Sequence, residues 1–126
     1  MINQNIAGNA TLYNLLPTVA ARTTTATGTG VDISACKGSI AFILDSAIGS
    51  AGDTLDVVIQ DSDTLGSGYG AVTGGAFTQI TSAANSQQKI SLNADSLKKY
   101  VRAVGTIAGN GSESFAFSVN ALGWTA

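Results

Sequence analysis

Short runs rich in Val, Ile, Thr, Leu and Phe, each closed by Gly, Ser, Asn or Asp, recur along this chain at a spacing of about 8 to 14 residues. No segment carries a long amphipathic helical period. The runs fall at residues 20–27, 39–45, 54–60, 76–81, 88–92, 100–107 and 114–121. In the last of them Phe115, Phe117 and Val119 alternate with Ala116, Ser118 and Asn120, the period of two that a half-buried strand requires. Residues 39–45, with Ile40, Phe42, Ile43 and Leu44, read as a strand buried on both faces or nearly so. Asn93 stands where it would cap one helical turn over residues 93–97.

Strands at this spacing predict an all-β chain folded as one β-sandwich, with jelly-roll-like and immunoglobulin-like topologies both open. At 126 residues there is room for one core and no second domain. Phe42, Phe77, Phe115 and Phe117 occupy strand positions expected in that core. The sandwich is assigned to residues 20–126. Residues 1–19 carry Ile2, Ile6, Leu12, Leu15 and Leu16 without a clean period and are interrupted by Pro17, so they read as an N-terminal arm or an edge strand. Stretched out, such a segment spans about 60 Å. Residues 61–75 read as a long Gly-rich surface loop holding Asp61, Asp63 and Tyr69, and loops of that length usually carry function.

Catalytic chemistry finds little to work with. There is no histidine, so the Ser-His-Asp and Cys-His arrangements cannot be built and the commonest neutral metal ligand is missing. A single Cys36 allows no internal disulfide and is expected as a small buried residue. The glycine runs lack both the dinucleotide and the P-loop pattern. Asp61-Ser62-Asp63-Thr64-Leu65-Gly66 opens like a calcium loop, but Leu65 stands where an oxygen donor is needed and Val72 where the bidentate glutamate belongs. That leaves only an irregular arrangement of Asp61 and Asp63 with Asp53 or Asp56. The expectation is no enzyme activity, no cofactor and no metal.

Charged residues are 11% of the chain, against about 25% in an average domain. A neutral, hydroxyl-rich surface suits lasting contact with other protein, since charge is depleted at interface centres. A net charge of −2 argues against nucleic acid, and no run is apolar enough to span a membrane. Lys98, Lys99 and Arg102 form the one basic cluster, read as a solvated strand entrance or a partner's salt-bridge site. The N-terminal residues lack the pattern of a secretory signal, so use in the compartment of synthesis is expected.

The phrases Val31-Asp32-Ile33, Ile40 through Leu44, Val58-Ile59-Gln60-Asp61-Ser62-Asp63, Phe77-Thr78-Gln79-Ile80 and Lys99-Tyr100-Val101-Arg102-Ala103-Val104 succeed one another across residues 31–122. In this order the chain resembles the small β-sandwich decoration, or cement, proteins encoded beside the major capsid protein of tailed bacteriophages. The resemblance implies a virion protein, assembled in the host cytoplasm, that sits on the capsid exterior. Its partners would be the major capsid protein and copies of itself, commonly as a homotrimer. It carries over no catalytic residue. A phage tail, baseplate or fibre module shares such phrases, and a carbohydrate- or receptor-binding sandwich would need Tyr69 and Trp124 exposed around a groove. The residues expected to make contacts are Ile2, Ile6, Leu12, Tyr13, Leu15, Leu16, Asp61, Asp63, Tyr69 and Trp124.

Overall fold

The computed structural model describes residues 6–17, 21–109 and 114–125. Strand β4 (Ser39–Ser46) shows how the sequence builds it: Ile40, Phe42, Leu44 and Ser46 point inward, and Ala41, Ile43 and Asp45 point outward. The same alternation governs β5 (Thr54–Ser62), β9 (Tyr100–Ala108) and β10 (Phe117–Trp124). The apolar run in β4 is therefore buried on one face only, a correction to the expectation of burial on both.

Two antiparallel sheets result. The first has the order β1 (Ala10–Leu16), β10, β4, β8 (Ser86–Asn93). In the second, β9 and β5 are central. Beside β9 run the short β2 (Ala26–Thr27) and β3 (Val31–Asp32), and beside β5 run β6 (Gly70–Ala76) and β7 (Ile80–Thr81). Taking β2 with β3, and β6 with β7, as two interrupted strands gives two sheets of four. The chain then crosses between sheets at every connection except β5 to β6. That is the jelly-roll arrangement, so of the two topologies the sequence left open the immunoglobulin-like one is excluded.

The core fills the space between the sheets. Phe42, Leu44, Ile40, Phe117 and Val119 come from the first sheet, and Leu55, Val57, Ile59, Val101 and Ala103 from the second, with Phe115 beside them. Gly105 is small for a reason: a Cβ there would lie 2.6 Å from the Phe117 ring. Truncating Phe42, which is fully buried, should cost about 3–5 kcal/mol.

Local signals explain the ends of strands. Asn93 accepts the Asp95 backbone N–H (3.0 Å) and caps a 3-10 turn at Ala94–Ser96, as its side chain predicts. A single helical turn, α1 (Ile6–Asn9), leads into β1. Of residues 20–27, expected as one strand, the described 21–27 give an Arg22–Phe115 bridge and β2.

Candidate interaction surface

The outer face of the first sheet can be read from its register. Leu12 lies opposite Leu122, which lies opposite Ala41, which lies opposite Ser91. Side chains paired across antiparallel strands share a face, so Leu12, Leu122 and Ala41 form an apolar row across three strands. In the next row Asn14, Asn120, Ile43 and Lys89 follow. On the other side Ala10 pairs with Trp124. Leu12 is 68% exposed and Ile43 39%.

An antiparallel sheet with one solvated face normally alternates apolar inside with polar outside. Here Leu12, Leu122, Ala41, Ile43 and Trp124 stand among the outward polar residues, with Lys89 opposite Ile43 and Asp45 farther along β4. Leu12 and Ile43 are exposed, and Ala41, Leu122 and Trp124 are half-buried beside them. The same face ends in a polar groove of about 590 Å³ lined by Asp45, Asn85, Gln87 and Ser118 with their neighbours.

The residues singled out from sequence divide between the two sheets. Leu12 and Trp124 lie on this face. Tyr13 points the other way and accepts a hydrogen bond from Cys36 Sγ (3.4 Å), which is itself buried. Burial pushes the Tyr13 phenol up to about 12. Leu15 and Leu16 are 2% and 3% exposed, so both belong to the core and not to a contact surface. A β-bulge after Asn14 turns both inward. Ile6 opens α1, and Ile2 lies outside the described residues.

Asp61, Asp63 and Tyr69 sit at one end of the second sheet, where the expected long loop proves much shorter. β5 continues through Ser62 and β6 begins at Gly70, which leaves residues 63–69 as a tight turn. Ser62 Oγ donates to Ser67 O and accepts from the Thr64 N–H, and Tyr69 Oη donates to Leu65 O (2.7 Å). Glycines on an edge strand misled the reading, because they are turn formers that a sheet margin also tolerates.

Outward groups of the second sheet are paired with one another. Arg102 lies 4.1 Å from the Tyr69 ring centre and donates from Nε to Gln60 Oε1 (2.8 Å). Gln79 donates to both Asp56 carboxylate oxygens (3.2 and 3.0 Å). Asp61 accepts the Lys98 backbone N–H (3.0 Å), and Lys99 stands 3.9 Å from Asp32. Asp53 is buried and accepts the Ser114 N–H (2.9 Å). Three of the four acids considered for a metal, Asp53, Asp56 and Asp61, thus have separate partners, and no three potential ligands gather among the described residues.

Sequence reading missed Ile43, Ala41 and Leu122 as surface residues. The signal was present: apolar residues on both parities of β4 in a sheet that proves one-sided.

No protein-family model matches the chain, and no curated protein sequence does. Solved structures share its fold. A chain of the infectious bursal disease virus VP2 subviral particle superimposes with a TM-score of 0.60 at 12% identity, over 90% of this chain and 32% of that one. The PBSX exported protein XepA gives 0.57 at 16% identity, over 99% of this chain and 40% of the other. The SPBc2 prophage-derived protein YomS gives 0.51 at 8% identity, over 91% and 92%. This chain spans about a third of the length of the infectious bursal disease virus chains it is similar to. At these identities the likeness is one of fold.

Proposed function

We propose that this protein is a non-enzymatic virion component that decorates the outside of an icosahedral phage capsid and holds its capsomers together, docking through the outer face of the β1-β10-β4-β8 sheet. The observation that carries the reading is the apolar row Leu12, Leu122 and Ala41, flanked by Ile43 and Trp124, on a sheet face that nothing in the chain covers among the described residues. Such a row is the composition of an interface centre, and the amides, hydroxyls and two charges around it supply a polar rim. The phage-like order of strand phrases, and a fold shared with a viral particle protein and a prophage-derived protein, support a virion setting. The major capsid protein is the partner this reading implies.

A carbohydrate-binding reading fares less well. The polar groove at the end of the sheet has no exposed aromatic platform: Phe117 on its wall is buried, Trp124 lies at the opposite end of β10, and Tyr69 is on the other sheet, stacked against Arg102. Cryo-electron microscopy of particles containing the chain tests the proposal. Density bridging capsomers outside the shell is expected. Density confined to a tail, baseplate or fibre overturns the capsid assignment, and absence from any particle overturns the virion role.

A further inference from the structure

The edge of the first sheet holds a second kind of information, carried by backbone and not by side chains. Thr125 donates its backbone N–H to Asn9 O (2.9 Å), and the register continues as Ala10 opposite Trp124. Asn9 and Thr125 are therefore a hydrogen-bonded pair, and bonded pairs recur at every second residue of an antiparallel ladder. Thr11 and Tyr13 turn their amide groups toward β10. Leu12 and Asn14, with the Ala10 carbonyl, turn theirs away, to the open side of β1, while the Ala10 N–H lies at the end of the α1 turn.

Unpaired edges are normally guarded by charge, proline, bulges or brevity. β8 carries Lys89 at its edge, β2 and β3 have two residues each, and the register of β6 against β5 is broken between Val58 and Gln60. β1 has seven residues and no charge, and its irregularity lies only beyond Asn14. Farther along, Gly28 closes against the Leu15 carbonyl, so the open stretch is Ala10 to Asn14.

We propose that β1 pairs antiparallel with β1 of a second copy of this chain about a two-fold axis at Leu12. With Leu12 opposite the partner's Leu12, Ala10 falls opposite the partner's Asn14 and Asn14 opposite the partner's Ala10. All three are outward-turned residues, so both backbone groups of Leu12, the Asn14 N–H and the Ala10 C=O meet their complements, and no charge meets a like charge. The pair also covers Leu12, the most exposed of the large apolar side chains, with its own copy. The two four-stranded sheets become one of eight. This two-fold contact runs along the strand edge and shares only Leu12 with the docking face, and it is distinct from the three-fold grouping that the sequence resemblance implies.

Sedimentation of the full chain over a concentration series tests it, together with two variants. Leu12→Lys sets two like-charged side chains on Cα atoms about 5.5 Å apart across the axis while leaving the bonds to β10 intact. Leu12→Cys puts two thiols at a Cα separation that a disulfide accepts. Expected are reversible self-association, at least tenfold weaker in Leu12→Lys with an unchanged melting temperature, and a cross-linked pair from Leu12→Cys under mild oxidation whose peptide map joins position 12 to itself. A chain that stays monomeric, or self-association indifferent to Leu12→Lys with no cross-link from Leu12→Cys, overturns the proposal.

Discussion

The two outer faces of the sandwich are built from the same antiparallel ladder and treat their side chains in opposite ways. On the β9-β5 sheet, Arg102 is held by Tyr69 and Gln60, and Asp56 by Gln79. The half-buried Val58 and Val104 sit opposite each other between the Gln60–Arg102 and Asp56–Thr106 pairs. On the β10-β4 sheet, Leu12, Leu122, Ala41 and Ile43 face outward with no such framework. One face satisfies itself within the chain. The other leaves apolar area in water, which stabilises nothing until a partner removes it. Exposure alone does not separate the two; what separates them is whether the outward groups have partners.

Substitutions on each face should have complementary consequences. The largest effect is expected from Ile43→Asp combined with Leu122→Asp, which should weaken binding to particles by about 100-fold or more in co-sedimentation, since central interface residues carry most of the affinity. Next comes Arg102→Ala, which removes a ring stack and a charged hydrogen bond. It should cost the isolated chain about 1–2 kcal/mol in urea unfolding and leave particle binding unchanged. A bound fraction that falls with Arg102→Ala would break the comparison. Smaller still, Ile43→Thr should shift the stability of the isolated chain by no more than about 0.5 kcal/mol, because an outward side chain with no partner contributes little to folding.

An effect confined to alkaline pH concerns Tyr13, which lies beneath the docking face. Its phenol titrates at about 12 in the folded chain against 10.0 for the free group. Between these values the unfolded chain has lost its proton and the folded chain retains it, so stability falls as pH rises from about 10 to 12 and is unaffected below. Tyr13→Phe should remove that part of the alkaline slope in melting temperatures measured across the window.

Much of the fold was legible because it rests on local rules. The alternation at Phe115, Phe117 and Val119 and the Asn93 cap are properties of neighbouring residues, and both appear in the structure. The strand at β10 nevertheless begins at Phe117, because Phe115 bridges Arg22 instead. β1 could be read as an arm or a strand because its strand character comes from β10, more than a hundred residues away in sequence. The candidate surface was only half legible. Leu12 and Trp124 were singled out, whereas Ile43 looks the same in sequence whether it faces a core or a partner. Only the register with Asn120 and Lys89 shows which way it points. Leu15 and Leu16 erred the other way, their inward turn being set by a bulge that no residue type announces.

The most direct test of the docking account is hydroxyl-radical footprinting of the chain, free and bound to particles. Protection confined to Ile43, Leu122 and Trp124, with Tyr69 and Leu65 as reactive as in the free chain, is the predicted result. Protection of Tyr69 and Leu65 with Ile43 and Leu122 still reactive would contradict it, since the face that satisfies itself would then be the one in contact.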